Sequence, residues 1–323
     1  VIVSQAQLDA SAREGKAAGA PPASHADIAR RVISKRWAAI LAHEAGARRG
    51  EDVEALHAMR VASRRLRSAL RVFGPYLPER AARRVGKRIR RLTRALGAPR
   101  EWDVHSQLLG RLHAAAMRPD ELAAIEHVWE FVDERRTAER ARMIERLDAW
   151  DGAGLAGEVD RLVARIRPRH HACDAPAEAA WTALAPLVDK AFARLPALRE
   201  KEHPEALHAM RIDVKRLRYA IELLKANFVT DHRALVADMA GIQEMLGTYH
   251  DHTLLETLIA GRLSRLSQHG RRTLVEGLIR PMDTLTAERH AGYAGFIRAT
   301  AGVSAANVTQ RIRTALGRGK PVD

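Results

Sequence analysis

The sequence predicts an all-α protein built as two homologous helical bundles, and three observations carry that expectation. After Asp27 strand signals nearly vanish, while Ala-, Leu- and Arg-rich segments space their apolar residues three and four apart between Gly and Pro punctuation. One motif-bearing segment occurs twice. The 323 residues suffice for two compact domains or one large duplicated domain.

Taken in order, residues 1–25 are rich in Ala, Gly, Ser and Pro and read as a flexible tail or linker. Helices are expected at about 26–47, 51–74, 78–96, 102–117, 120–150 and 155–167, which together form a first half over 26–167. Residues 168–176, with Pro168, His170, His171, Cys173 and Pro176, form the expected connection. The second half, 177–300, is expected to hold helices at about 177–195, 202–228, 230–246, 250–268 and 270–299. Residues 301–323 read as a C-terminal tail. The chain opens on Val1 rather than Met, and further sequence is expected upstream.

The halves are related by two signatures in the same order. Glu54-Ala55-Leu56-His57-Ala58-Met59-Arg60, followed by Arg64-Arg65-Leu66-Arg67, returns as Glu205-Ala206-Leu207-His208-Ala209-Met210-Arg211, then Lys215-Arg216-Leu217-Arg218, at an offset of 151. Downstream, Leu96-Gly97-Ala98-Pro99-Arg100-Glu101 is answered by Leu246-Gly247-Thr248-Tyr249-His250-Asp251 at an offset of 150. Such spacing makes coincidence a poor explanation.

Charge narrows the function. Lys plus Arg number 54 against 39 Asp plus Glu, a formal +15, which calls for a polyanionic partner. Arg outnumbers Lys 46 to 8, and its planar fork meets phosphate oxygens two at a time. The first half, counted over 26–150, holds 27 basic and 17 acidic residues; the second, over 177–300, holds 17 and 15. Attraction should therefore be strongest in the first half. One cysteine excludes an internal disulfide framework and fits the cytoplasm. No apolar run is long enough for a membrane span, so no membrane partner is expected.

On a helical wheel with His57 at zero, Arg60, Arg64, Arg67 and Arg71 fall at about 300°, 340°, 280° and 320°. Leu56, Met59, Leu66, Leu70 and Phe73 occupy the neighbouring arc and should face the core. The basic stripe thus rides on a backbone held by packing. His208, Arg211, Lys215 and Arg218 repeat it, with Glu222 in the place of Arg71. A solvated surface face is the ordinary reading of a charge run. Against it stand the recurrence of the stripe and the absence of an acid within the first one, where like charges repel by a few tenths of a kcal/mol per pair. In the following helix Arg80, Arg83, Arg84, Lys87, Arg88, Arg90, Arg91 and Arg94 come without one acid, opposite Val85, Ile89, Leu92 and Leu96.

Other chemistries find little support. No Gly-rich phosphate loop or dinucleotide fingerprint occurs, and no nucleophile stands beside a base. His57 and His208 lie among arginines, which disfavour a divalent metal. His250-Asp251-His252 resembles a ligand cluster, but neighbouring residues point to different sides of a helix. No metal, cofactor or catalytic residue is therefore expected. With 4% aromatics, stacking platforms for single-stranded nucleic acid are scarce, and Trp37, Trp102, Trp129, Trp150 and Trp181 read as core.

The paired His-Ala-Met-Arg motif, each time followed by a basic pair around Leu, together with the second signature, resembles the conserved-histidine α-helical domain family, CHAD, over about residues 26–300. The resemblance implies two joined bundles with pseudo-two-fold symmetry around a basic pore or groove, binding of inorganic polyphosphate, and association with polyphosphate granules. By motif position the implied contacts are His57, Arg60, Arg64, Arg67, His208, Arg211, Lys215 and Arg218; the wheel adds Arg83, Lys87, Arg90, Arg91 and Arg94. Members often follow a β-rich triphosphatase domain, which has no counterpart in this sequence, so catalysis is not carried over. Non-catalytic polyphosphate binding is the expected function. Its alternatives are a nucleic-acid-binding or granule-scaffolding protein, and a metal-dependent enzyme acting on phosphate polymers.

Overall fold

The computed structural model describes residues 24–49, 53–150, 152–167 and 176–318. They form thirteen α-helices and two short 3-10 turns, with no strand among the described residues. The helices are α1 (His25–Arg49), α2 (Val53–Val72), α3 (Glu79–Ala95), α4 (Ala98–Ala115), α5 (Pro119–Asp148) and α6 (Gly152–Ala164). There follow α7 (Pro176–Phe192), α8 (Leu195–Glu200), α9 (Pro204–Leu223), α10 (Arg233–Gln268), α11 (Arg272–Gly277), α12 (Ile279–Ala299) and α13 (Ala305–Ala315). The expected all-α class is what the chain adopts. The expected N-terminal tail and the connection with His170, His171 and Cys173 lie almost wholly outside the described residues.

Apolar spacing explains the packing. Leu56, Met59, Leu66, Leu70 and Phe73 of α2 and its end are all buried, as are Val85, Ile89 and Leu92 of α3 and Leu207, Met210, Val214 and Leu217 of α9. These side chains join one core that takes in α1 to α3, the end of α5, α6 to α9, the first part of α10, the end of α12 and α13. A second core is assembled from Leu109 and Leu112 of α4, Ile125, Val128 and Val132 of α5, Leu255 and Ile259 of α10, Leu278, and Leu285 of α12. Both cores therefore draw on both sequence repeats. The five tryptophans are buried or half-buried against one core or the other.

Two details lock the second core. A Cβ on Gly277 would lie 2.2 Å from the Asp120 carbonyl oxygen, so only glycine lets α11 approach the start of α5 this closely. Beside it the buried Glu121 carboxylate receives Arg280 at 3.0 Å, Arg118 at 3.3 Å and the Met117 N–H. Backbone donation and both cations hold this carboxyl below its usual range.

Three boundaries depart from the sequence expectation. The helices expected at 230–246 and 250–268 are one helix, α10, because Leu246, Tyr249, His252 and Leu255 continue its buried face across Gly247. A single glycine costs only about 1 kcal/mol in a helix interior, and packing outweighs it. The segment 270–299 is divided into α11 and α12 at Leu278. Finally, 301–323 is not simply a tail: Ser304 and Asn307 form a reciprocal capping box, and Val308 and Ile312 of α13 are buried in the main core.

Candidate functional site: a basic tract between the repeated helices

The two motif helices, α2 and α9, lie against each other, and their basic stripes line one cavity of about 370 Å³. Core-facing leucines and methionines fix each backbone, so the arginines on the bordering arc are presented inward rather than to open solvent. Arg60, Arg64, Arg67 and Arg71 come from α2; Arg211, Lys215 and Arg216 come from α9. None of the lining residues is acidic. Positions matched by the repeat meet here: Arg60 with Arg211, Arg64 with Lys215 and Ser68 with Tyr219, each pair 151 apart.

Further cavities extend this central one. An outer cavity of about 330 Å³ shares Arg67 and Arg71 with it and adds Arg83 and Arg90 of α3. In the other direction a junction cavity of about 270 Å³ shares Arg60 and Arg211 and adds His57, Arg100, Glu101, His105, His250 and Asp251. A rim cavity of about 210 Å³ continues from His57, Arg60 and Arg100 to Glu54, Asp103 and Gln107. The shared residues link all four into one tract. Its centre is purely cationic and its junction end is mixed.

Crowding of like charge is visible in the ionisation of the group. Burial first, and then the neighbouring arginines Arg64, Arg211 and Arg60, push the Lys215 ammonium down to about 7. Burial together with Arg64 and Arg100 lowers Arg60 to about 10, and Arg67, Arg71 and Arg211 are lowered mainly by burial. The Nε atoms of Arg60 and Arg211 are buried without a protein acceptor. A bound polyanion would relieve both costs, since unpaired buried donors each cost about 1–3 kcal/mol.

The histidines carry no positive charge to this cluster near neutral pH. Burial and adjacent arginines lower His57 and His208, and burial with His208, Arg211 and Lys215 takes His250 down to about 4. His208 and His250 face each other with ring centroids 4.1 Å apart. His252, by contrast, is buried on the far side, 3.2 Å from Arg111 and 3.4 Å from Glu288. The triplet therefore diverges, and among the described residues no group of three or more His, Cys, Asp or Glu could hold a metal ion.

The CHAD domain family matches residues 31–260, more than two thirds of the chain. The chain belongs to this family. Two solved structures share its fold. A CHAD domain from the plant Ricinus communis is 21% identical, with 93% of each chain covered and a TM-score of 0.56. PptA from Streptomyces chartreusis is 17% identical, with 86% of this chain and 99% of that chain covered and a TM-score of 0.64. No curated protein matches.

Within this CHAD chain eight of the thirteen sequence-derived candidates line these cavities. Arg60, Arg64, Arg67, Arg211 and Lys215 line the central cavity, Arg83 and Arg90 the outer one, and His57 the junction and rim. Arg94 is exposed but close enough to Arg67 to lower its pKa. Lys87 and Arg91 are exposed and line none of these four cavities; at 40° and 80° from Arg83 they stand on the outer flank of α3. His208 reaches the tract through His250 rather than directly. Arg218 is turned to Glu222, 3.6 Å away, and over the ring of Tyr219.

Sequence reasoning passed over Arg71, Arg100, Arg216, Tyr219 and Asp251 as site residues. Arg71 stood on the wheel beside the chosen stripe, and Arg216 could not be chosen by wheel angle because Asp213 draws it into position at 2.6 Å. The buried Asp213 also holds Arg194 at 3.1 Å. The second-signature glycine has a packing role: a Cβ on Gly247 would lie 3.4 Å from Arg211 Nε. A bare helix surface there lets the guanidinium lie along α10. No helix among the described residues is long and apolar enough to cross a membrane.

Proposed function

We propose that the chain binds inorganic polyphosphate without chemical turnover, along the tract between α2 and α9, and accompanies polyphosphate granules in the cytoplasm. The observation that carries this reading is the central cavity, lined by seven basic side chains and no acid, from both repeats. A flexible polymer with about one charge per phosphate offers successive oxygens to these guanidinium forks, and many charge-assisted bonds act together. His57, Arg83, Arg90 and Arg100 extend the contact along the flanking cavities, and Arg94 adds its charge beside Arg67. Lys87 and Arg91 contribute long-range attraction rather than direct contact.

Nucleic acid is the less favoured partner. Tyr219 is the sole aromatic side chain lining the central cavity, and Arg64 at 5.9 Å and Arg218 at 5.0 Å already stack over its ring, so a single, contested platform is on offer to a base. Calorimetric titration with long-chain polyphosphate in competition with duplex DNA tests the reading. Polyphosphate should displace DNA and not the reverse; DNA holding its place would overturn it. Phosphate release with added divalent metal, surviving rigorous purification, would instead establish an enzyme.

A further inference from the structure

The junction cavity differs from the rest of the tract in ways that a uniform grip on polymer does not explain. Asp251 lines it, and so does Glu101, its match at an offset of 150. Half-buried, the Asp251 carboxylate has no hydrogen bond or ion pair among the described residues, although Arg60, Arg100 and Arg211 surround it. A carboxylate here repels internal phosphates, which carry a charge and no proton. His105 is only 4% exposed, lines the same cavity, and has both ring nitrogens without a partner.

A terminal phosphate is chemically distinct from an internal one. Its second ionisation lies near pH 6, as for other phosphate monoesters, so close to neutrality it can carry one P–OH donor. That hydroxyl can donate to a carboxylate, while the remaining oxygens accept from guanidinium and imidazole N–H groups. Three arginines and the histidines His57, His105 and His250 stand around Asp251 to do so. Burial lowers His105 and keeps it neutral, with one donor and one acceptor.

Resting on the polyphosphate reading above, we infer that the junction cavity is a chain-end subsite, in which Asp251 accepts a hydrogen bond from the protonated terminal phosphate while internal phosphates occupy the central cavity. The polymer is thereby held in one register, its end beside α4 and α10 and its length running toward α3. Selection comes from a proton that only the end can supply. An isosteric amide at position 251 donates as well as accepts, so it would welcome internal phosphates and erase the distinction.

Titrations of linear tetraphosphate and cyclohexaphosphate, which has no end and a similar total charge, compare wild type with Asp251→Asn at about pH 6 and about pH 8. The wild type should prefer the linear anion by on the order of tenfold at the lower pH and less at the higher, where the terminal proton is lost. In Asp251→Asn the preference should collapse, chiefly because the cyclic anion binds better. His105 and Arg100 on α4, His57 and Arg60 on α2, and Arg211 on α9 and His250 on α10 line the same cavity, and His252 acts on Asp251 through charge from the far side of α10, so the linear-to-cyclic ratio within each protein is the readout. An unchanged ratio in a variant with wild-type circular dichroism overturns the inference. If long-chain polyphosphate binds both proteins while the ratio stays fixed, only the chain-end assignment fails; if it binds neither, the polyphosphate reading fails with it.

Discussion

The end of α2 and the end of α9 occupy equivalent places in the repeat and pair their charges differently. Arg67 and Arg71 line the central cavity with Arg216 and stand near Arg90 and Arg94. Their matches at an offset of 151 are Arg218 and Glu222, and the match of Arg216 is Arg65. In that second cluster Glu222 lies 3.8 Å from Arg65 and 3.6 Å from Arg218, with Arg36 close by. At the first end Asp213 pairs with Arg216, while Arg67 and Arg71 have no ion pair among the described residues; at the other, Glu222 stands between Arg65 and Arg218. Duplication supplies the scaffold twice, and the placing of a carboxylate decides which arginines stay open.

The largest effect should follow from reversing charge at the open end. Arg64→Glu with Arg67→Glu removes two contacts of about 1.5–3 kcal/mol each before screening, so calorimetry should record a loss on the order of a hundredfold or more. Arg142→Glu with Arg146→Glu, exposed positions on α5, serves as the control. Arg136 is unsuitable, since its Nε bonds Asp103 of α4 at 2.9 Å and ties two helices together. Equal losses in both variants would mean diffuse attraction with no lined site. For wild type the affinity should also fall steeply with salt.

The closed end can be opened. Glu222→Arg restores the residue of the first half and should raise polyphosphate affinity by about threefold to tenfold, while the loss of both ion pairs lowers stability by about 1 kcal/mol. Unchanged affinity in the folded variant would show that the second cluster lies off the polymer's path.

A smaller signal comes from Lys215. Its folded pKa of about 7 lies below the ordinary 10.5, so between these values the unfolded chain binds the extra proton and stability rises with pH. Polyanion binding reverses the penalty and should draw a proton onto Lys215 at about pH 8. The binding enthalpy should then differ between buffers of high and low ionisation enthalpy, and Lys215→Met should remove most of that difference. A buffer-independent enthalpy in wild type would show that Lys215 is already charged.

How much of this was legible in the sequence follows from which forces are local. The wheel found Arg60, Arg64 and Arg67 because the residues that bury α2 also fix the angle of its polar face. It does not foresee that Arg218 turns to Glu222, four residues on along the same helix, and over the ring of Tyr219. Lys87 and Arg91 were grouped with Arg83 and Arg90 because an all-basic face gives no internal cue to which flank meets α2. The break expected near Gly247 does not occur because Leu246, Tyr249, His252 and Leu255 carry the buried face across it, while Arg211 of another helix lies beside the glycine. The helix at Ala305–Ala315, in a segment that reads as a tail, carries a local cue all the same in Ser304 and Asn307 three residues apart, followed by Val308 and Ile312.

Gly247 also permits the finest test of the comparison between the halves. In a helix interior, Gly→Ala at a compatible site stabilises by up to about 1 kcal/mol, through helix propensity and a less mobile unfolded chain. The new methyl would meet Arg211 Nε at 3.4 Å and its Nη2 at 3.5 Å, ordinary contact distances that leave the backbone undisturbed. Those distances leave no slack, however, for the guanidinium to settle along α10 when it grips a phosphate. Gly247→Ala should therefore raise the melting temperature while weakening polyphosphate binding by about twofold to fivefold, a fraction of one charged contact. Gly97, the equivalent glycine of the first half, has no arginine side chain within 4 Å of its position, its near neighbours being the Arg94 and Thr93 carbonyl oxygens at 3.3 Å. Gly97→Ala should then weaken binding less than Gly247→Ala and crowd backbone instead, with no gain in melting temperature. Parallel melting curves and titrations of the two variants separate these outcomes, and equal binding losses would mean that neither glycine acts through Arg211.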